Sequence, residues 1–192
     1  MRLFVGIPLT TEVIDELSTT SSRLRSLGDN LRWSSPETWH ITLQFLGNTS
    51  ADKYNCLAAR LREVHSPPAP IALESLGFFD HAGIFFAGVR LTPGLQSLQH
   101  SVTVATHLCG FPTETRPYQP HITLARSKGK LRPQGLRELK TRLLHRQPQF
   151  TRFLADEFLL YESFLGPSGS RYEIRERFPL QTDSAKSQEN AL

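Results

Sequence analysis

The chain has 192 residues, a net charge of +4 at pH 7 and 39% hydrophobic residues. This length is sufficient for one substantial hydrophobic core, or for two small lobes that share an interface. No run of about 18 or more apolar residues is present, and the opening MRLFVGIPLT reaches a proline at Pro8, so neither a membrane-spanning helix nor a signal peptide is expected.

The first half of the chain alternates between strand-like and helix-like patterns. Runs rich in β-branched and aromatic residues are bounded by Pro or Gly, and between them apolar residues recur at helical spacing. The elements predicted here are a strand over 2–7, a helix capped by Thr10 or Thr11 and ended by Gly28, a short extended piece over 31–34, a strand over 39–46 and a helix over 51–64. The proline-rich stretch at 66–70 ends the last of these helices.

The second half continues the alternation. The elements predicted here are extended runs over 71–79 and 84–91 that form a hairpin around 80–83, a helix over 94–108 closed by Gly110, a strand over 121–126, a helix from Pro133 to about His145, and extended runs over 154–163 and 171–178 that form a final hairpin around 166–169.

The order of these elements indicates a duplicated unit. Each of the strands 39–46 and 121–126 is followed by a helix and then by two extended runs. We therefore predict an α+β fold of the bilobal duplicated type, in which two antiparallel sheets face each other across a central cleft with helices on the outer faces. Residues 1–180 are expected to form this single domain, and the polar residues 181–192 a disordered tail.

Two cysteines and an uneven distribution of charge complete the overall picture. Cys56 and Cys109 lie in helix-like stretches without a metal-ligand spacing, so we expect free thiols in a reducing cytoplasm. Between residues 116 and 152 there are ten basic residues against one acidic residue, Glu138. These basic residues are Arg116, Arg126, Lys128, Lys130, Arg132, Arg137, Lys140, Arg142, Arg146 and Arg152.

The basic segment has two interpretations. Arg137, Lys140 and Arg142 fit one solvated face of a helix. Arg126, Lys128 and Lys130, in contrast, occupy every second position on a strand or just after it. There they could meet an anionic ligand.

The tetrapeptide His-Ile-Thr-Leu occurs twice, at 40–43 and 121–124, in a chain with only seven histidines. A buried strand used twice would explain the Ile and Leu residues, which favour strands and cores. It would not explain histidine, which is neither a good strand residue nor a common core residue. The repeated histidine therefore indicates a function.

In a strand, residues i and i+2 lie on the same face. His40 and Thr42 would then face the cleft while Ile41 and Leu43 fill the core. An approximate two-fold relation between the lobes would place His121 and Thr123 across the cleft from them.

Two imidazoles with ordinary pKa values near about 6.5 can act as one base and one acid at neutral pH, which suits a displacement at phosphorus. Threonine hydroxyls can donate hydrogen bonds to the non-bridging phosphoryl oxygens. Near neither motif does the sequence supply a nucleophilic Ser or Cys beside a histidine, a Gly-rich phosphate loop, or a third metal ligand. We therefore predict that no metal and no cofactor is used, and symmetry leaves open which histidine is the acid.

Three aromatic residues flank the motifs. Strand parity places Phe45 in the core with Ile41, although a β-bulge would turn it to the mouth of the cleft, where it could stack on a base. Trp39 and Tyr118 fit either packing between lobes or contact with a nucleotide. Phe45 and Tyr118 are kept as candidate substrate-binding residues.

These motifs resemble those of a known family. The first tetrad continues as HITLQFLG, and the second is preceded by RPYQP and followed by Ala125-Arg126. The pair is similar to that of the two-histidine phosphoesterase superfamily, specifically the bacterial and archaeal RNA 2′,3′-cyclic phosphodiesterases once named 2′-5′ RNA ligases. The resemblance begins with the RLFVGIPL opening and covers roughly residues 1–180.

The resemblance implies hydrolysis of an RNA 2′,3′-cyclic phosphate end to a 2′-phosphomonoester. On the family pattern His40 is the proton donor to the departing 3′-oxygen, and His121 is the proton acceptor from the attacking water. Thr42 and Thr123 would hold the phosphoryl oxygens, and Arg126 would neutralise the developing charge.

The expected partner is an RNA with a 2′,3′-cyclic phosphate end, for example a tRNA fragment, or a small cyclic nucleotide. Neither a membrane nor an obligate protein partner is expected. Two alternatives stay open: 2′-5′ RNA ligation by the same acid and base, and a module that binds RNA or nucleotides without turnover.

Overall fold

The computed structural model describes residues 1–27, 31–127, 137–145, 147–166 and 169–181. Its strands are β1 (Arg2–Pro8), β2 (Leu31–Trp33), β3 (His40–Asn48), β4 (Ala69–Ile71), β5 (Leu73–Phe79), β6 (Ile84–Val89), β7 (His121–Ser127), β8 (Phe153–Ala155), β9 (Glu157–Gly166) and β10 (Gly169–Pro179). Its helices are α1 (Thr11–Leu24), α2 (Ala51–Arg62), α3 (Pro93–His107) and α4 (Arg137–His145).

Two four-stranded antiparallel sheets carry the two histidine motifs. The first has the strand order β10-β9-β1-β3, and the second has the order β2-β7-β6-β5. Strand β3 of the first sheet contacts β7 of the second, so the two motifs meet where the sheets meet. The predicted α+β fold of two antiparallel sheets is confirmed.

Each sheet is completed by a hairpin from the other half of the chain. The β5–β6 hairpin follows β3 in sequence but pairs with β7. The β9–β10 hairpin follows β7 but pairs with β1, beside β3. A lobe therefore does not correspond to one half of the sequence, and the two motif strands are tied together by exchanged hairpins.

The run predicted as one strand over 154–163 is divided in two. Strand β8 ends at Ala155 and pairs with β4 in a separate two-stranded sheet, whereas β9 begins at Glu157. The single-strand prediction is therefore wrong at Asp156, because the chain changes pairing partner there. Nothing in the local composition marks this change.

The helices begin where hydroxyl side chains can cap them. The side chains of Thr10, Ser50 and Thr92 each accept a hydrogen bond from a backbone N–H in the first turn of α1, α2 and α3, respectively. One hydrophobic cluster combines these helices with both large sheets. None of the helices in the described part of the chain is both long enough and apolar enough to span a membrane.

The prediction of free thiols is wrong. Cys56 and Cys109 form a disulfide that joins helix α2 to the residues just after α3, with a Cα–Cα distance of 5.8 Å. The two residues are separated by 53 positions in sequence, and their proximity follows from the packing of α2 against α3. Neither local composition nor cysteine spacing indicates that contact.

Several predicted features lie outside the described residues. These are Gly28 as the end of the first helix, the basic residues Lys128, Lys130, Arg132 and Arg146, the start of a helix at Pro133, the hairpin tip at 167–168, and the tail from 182 onward.

Candidate active site

Strands β3 and β7 contain the same irregularity at the same place in the repeated motif. In the pairing of β3 with β1 the register skips Leu43, and in the pairing of β7 with β6 it skips Leu124. A β-bulge shifts the alternation of side chains by one residue. Because of this shift, Phe45 and Arg126 emerge on the same face as the histidine and threonine of their strand, and both are exposed.

Phe45 is therefore not a core residue, and the prediction from strand parity is wrong. Its side chain is 67% exposed, and its ring lies 5.8 Å from that of Phe4 on the neighbouring strand. The bulge considered as an alternative is the arrangement that the structure has. Phe45 occupies in β3 the position that Arg126 occupies in β7.

His40 is held by two hydrogen bonds. Its Nδ1 lies 2.8 Å from the backbone oxygen of Thr38, and its Nε2 lies 3.1 Å from the Thr42 hydroxyl. A backbone carbonyl can only accept, so Nδ1 carries a hydrogen and donates it. The neutral ring therefore keeps a lone pair on Nε2, which accepts from the hydroxyl of Thr42.

His121 has the corresponding arrangement. Its Nδ1 donates to the backbone oxygen of Gln119 at 2.8 Å, and again the acceptor is the carbonyl two residues earlier in the chain. The same tautomer follows, with the Nε2 lone pair available for a proton. The two copies of the motif therefore share the same hydrogen bond from the histidine Nδ1 to a backbone oxygen.

Aromatic rings surround His40. Its ring centroid lies 4.5 Å from that of Phe4, 5.2 Å from that of Tyr172 and 5.7 Å from that of Tyr161. Burial among these rings, which disfavours the charged imidazolium, is the largest cause that lowers the His40 pKa to about 4. The bond to Thr38 opposes this shift, and the positive charges of His121 and Arg126 add to it.

His121 is packed in a similar way but is more exposed to solvent. Its ring centroid lies 5.0 Å from that of Phe79 and 5.7 Å from that of Phe86. Burial lowers the His121 pKa, the hydrogen bond to Gln119 opposes the shift, and the charge of Arg126 lowers the pKa further. Both histidines are therefore biased towards the neutral form in the unliganded protein.

The two histidines and Arg126 lie on the contacting strands β3 and β7, near enough for their charges to influence one another. The charges of His121 and Arg126 both act on His40, and that of Arg126 also acts on His121. Thr42 and Thr123 lie on the same faces as the two histidines and are partly exposed. His40 and Thr42 of β3, and His121, Thr123 and Arg126 of β7, thus lie on two strands that contact each other.

The rings of Tyr118 and Trp39 are not exposed for contact with a nucleotide. Tyr118 is partly buried and donates a hydrogen bond from its hydroxyl to the backbone oxygen of Thr42 at 2.9 Å. Burial raises the pKa of this hydroxyl, which therefore stays protonated and keeps donating. Trp39 is 5% exposed and belongs to the core. Tyr118 thus connects the segment before His121 to the strand that carries His40.

Gln44 braces the same strand from the core side. Its side-chain oxygen accepts a 2.6 Å hydrogen bond from the Thr106 hydroxyl of helix α3, and its side-chain nitrogen lies 3.5 Å from the backbone oxygen of Pro112. The bulge in β3 is therefore supported on the side opposite the cleft.

Among the described residues of the basic segment, Lys140 and Arg116 differ from Arg126 in their surroundings. Lys140 pairs with Asp80 at 2.5 Å, and Arg116 pairs with Glu114 at 2.7 Å, so both belong to surface ion pairs. Arg126 instead is exposed on the face of β7 that carries His121 and Thr123. In the described part of the chain, no group of three or more His, Cys, Asp or Glu side chains is arranged to hold a metal ion.

Sequence reasoning missed the rings around the histidines. These rings belong to five strands and meet only through cross-strand pairing: Phe4, Phe79, Phe86, Tyr161 and Tyr172. A glycine on the adjacent strand makes room for one of them, because a Cβ at residue 77 would lie 2.9 Å from the Phe86 ring.

Comparison with known proteins gives a consistent match. The sequence model of the family described as LigT like Phosphoesterase matches residues 7–85 and 90–172. The RNA 2′,3′-cyclic phosphodiesterase of Geobacillus stearothermophilus is 32% identical over 185 residues, which cover 92% of this chain and 56% of that protein. The chain thus spans a little over half of the length of that relative.

Two further matches cover nearly the whole of the other protein. The RNA 2′,3′-cyclic phosphodiesterase of Escherichia coli K12 is 28% identical over 181 residues, which cover 93% of this chain and 96% of that protein. The crystal structure of E. coli LigT complexed with 3′-AMP superposes with a TM-score of 0.76 and 26% identity, covering 94% of this chain and 98% of that one. A Thermus thermophilus protein, TT0787, shares the fold with a TM-score of 0.78.

Proposed function

The chain belongs to the LigT-like phosphoesterase family, and on that premise we propose that it hydrolyses RNA 2′,3′-cyclic phosphate ends to 2′-phosphomonoesters. The observation that carries the proposal is the pair of imidazoles held by matching hydrogen bonds in one cleft, with Arg126 acting on both. Relatives named RNA 2′,3′-cyclic phosphodiesterase support the substrate class.

In the proposed reaction, Nε2 of His121 removes a proton from water as the water oxygen attacks phosphorus. The bond between phosphorus and the 3′-oxygen breaks, and His40 delivers a proton from Nε2 to that oxygen. The hydroxyls of Thr42 and Thr123 donate to the non-bridging oxygens, and Arg126 offsets the charge that develops on them. The product keeps its phosphate on the 2′-oxygen.

The low pKa of His40 fits the role of donor once substrate is bound. A phosphodiester brings a negative charge into the cleft, which raises the pKa of nearby imidazoles. The assignment of His40 as the acid follows the pattern of the family that the chain resembles.

Two aromatic residues, Phe45 and Tyr118, assist substrate binding without taking part in proton transfer. Phe45, exposed at the cleft face, offers a ring on which a base can stack. Tyr118 acts indirectly, because its hydroxyl already binds the backbone of Thr42 and thus holds the position of β3.

We propose residues 1–180 as one bilobal domain, supported by the large hydrophobic cluster that includes residues of both sheets. An RNA substrate favours the cytoplasm as its location. Stable disulfides are rare in that compartment, so the Cys56–Cys109 bond counts against it.

Ligation through a 2′-5′ linkage is the alternative activity, which water at its ordinary concentration disfavours.

Phosphorus NMR tests the function directly. An oligonucleotide with a 2′,3′-cyclic phosphate end, incubated with the protein in EDTA, is expected to give a single new resonance from the 2′-phosphomonoester. A 3′-phosphomonoester would reverse the assignment of the leaving oxygen, and loss of turnover on chelation would refute the metal-independent mechanism. Nucleotide binding without turnover would favour the binding-module alternative.

The pH dependence follows from the two lowered pKa values. The productive free protein has one imidazole protonated and the other neutral, and because both pKa values lie below the ordinary value of about 6.5, kcat/KM should be bell-shaped with its maximum below that pH. The bound phosphate raises both pKa values, so the maximum of kcat should lie at higher pH. Steady-state rates between pH 4 and 9 measure both, and coincident maxima near pH 8 would contradict the burial argument.

A further inference from the structure

A second arginine lies directly beside Arg126 on the neighbouring strand. Strands β2 and β7 pair in the register Leu31↔Ser127, Arg32↔Arg126 and Trp33↔Ala125. The backbone N–H of Ser34 donates to the carbonyl of Leu124 at 2.8 Å, which holds β2 at this register. Arg32 and Arg126 are therefore opposite each other in an antiparallel pair.

The burial of their neighbours places both arginines on the cleft face. Leu31 and Ala125 are buried in the core, while Arg32 and Arg126 are exposed. Side chains directly opposite in an antiparallel pair share a face. Arg32 thus extends the positively charged floor of the cleft by one strand spacing, about 4.8 Å, beyond Arg126.

This arrangement carries a cost in the absence of a ligand. Like charges directly opposite each other across two strands repel and destabilise the pairing. In the part of the chain that the structure describes, neither guanidinium forms an ion pair with an Asp or Glu side chain. An anion bound between or beside them would remove the repulsion.

We propose that Arg32 binds the phosphodiester on the 5′ side of the terminal nucleotide, in a phosphate subsite distinct from the one at the two histidines. This proposal rests on the function proposed above and narrows its substrate class. Strand β2 pairs with β7 only after the bulge at Leu124, at the end of the motif strand away from His121. A phosphate held between the histidines is contacted by Arg126, and the next phosphate along the RNA lies outward, towards Arg32.

The consequence is a preference for RNA over free nucleotides. A 2′,3′-cyclic mononucleotide has no internucleotide phosphate and cannot use Arg32. A dinucleotide with the same cyclic end has one such phosphate, and its negative charge forms a charge-assisted hydrogen bond with the guanidinium. The subsite thus distinguishes an RNA end from a small cyclic nucleotide.

The experiment compares Arg32→Gln with the wild type on two substrates, adenosine 2′,3′-cyclic phosphate and a dinucleotide that ends in it. The variant is expected to lose about tenfold in kcat/KM on the dinucleotide and less than twofold on the mononucleotide. The salt dependence on the dinucleotide should weaken by a log–log slope of about 0.7, the contribution of one single-strand phosphate contact. A dinucleotide with an uncharged methylphosphonate linkage should be hydrolysed equally by both proteins.

Arg142→Gln is the matched control, because it removes one charge from an exposed position on helix α4 and should change neither rate. Equal losses on both substrates would mean that Arg32 contacts the reacting phosphate or stabilises the fold. Unchanged rates would mean that it is only a charged residue on a sheet edge, without a role in binding. Either result overturns the subsite while wild-type turnover upholds the proposed function. If the wild type opens neither substrate, the function and the subsite are both refuted.

Discussion

Replacing His121 with alanine is expected to lower kcat/KM for an RNA 2′,3′-cyclic end by about a thousandfold, the usual size of a general-base contribution. The same loss is expected for His40→Ala, because each ring presents an Nε2 whose tautomer is set by a backbone carbonyl. His100→Ala is the control. His100 is exposed on helix α3, and its loss should leave the rate unchanged.

The leaving group separates the two roles. A nucleotide p-nitrophenyl diester releases a weakly basic phenolate that needs no proton, so His40→Ala should regain most of its lost rate on that substrate. His121→Ala should not, because the attacking water still requires a base. Rescue of His121→Ala instead would exchange the two assignments, and rescue of neither would show that the rings act by positioning the phosphate rather than by proton transfer.

The sequence predicted most of the elements because each carries local signals. Helix α3 was predicted over 94–108 and spans Pro93–His107, with the Thr92 cap before it and Gly110, at a φ of 77°, after it. The composition and the flanking Pro or Gly residues predicted the motif strands. The alternation of side chains within the motif predicted that His40 and His121 lie on the face opposite the core.

What the sequence could not supply depends on contacts between distant segments. The bulges at Leu43 and Leu124 are changes of register against β1 and β6, so no local pattern predicted that Phe45 leaves the core. The disulfide between Cys56 and Cys109 depends on the packing of α2 against α3 in the same way.

One signal was nevertheless available in the repeat itself. The resemblance between the two motifs continues past the tetrapeptide as HITLQF and HITLAR, which aligns Phe45 with Arg126. A residue that must contact phosphate cannot point into the core, so the assignment of Arg126 to the cleft already required a bulge after Thr123. Applied to the other copy, the same bulge places Phe45 at the cleft face.

The second largest effect is expected at Arg126. Its side chain lies on the cleft face beside both motifs, where a fixed positive charge stabilises the oxygens on which charge develops. Arg126→Gln should therefore lower kcat/KM by about a hundredfold on both the cyclic mononucleotide and the dinucleotide. This common loss contrasts with Arg32→Gln, for which only the dinucleotide should respond.

The same substitution should also move the pH profile of the residual activity. The charge of Arg126 lowers the pKa of His40 and of His121, so its removal raises both values and shifts the kcat/KM maximum to higher pH. Arg126→Lys keeps the charge but loses the two-pronged geometry of the guanidinium, so it should retain the wild-type pH maximum at an intermediate rate. A hundredfold loss in Arg126→Gln without a shift in the pH maximum would mean that Arg126 contacts substrate too far from the histidines to influence them. A shift without a loss would mean that it sets their pKa values but does not touch the phosphate.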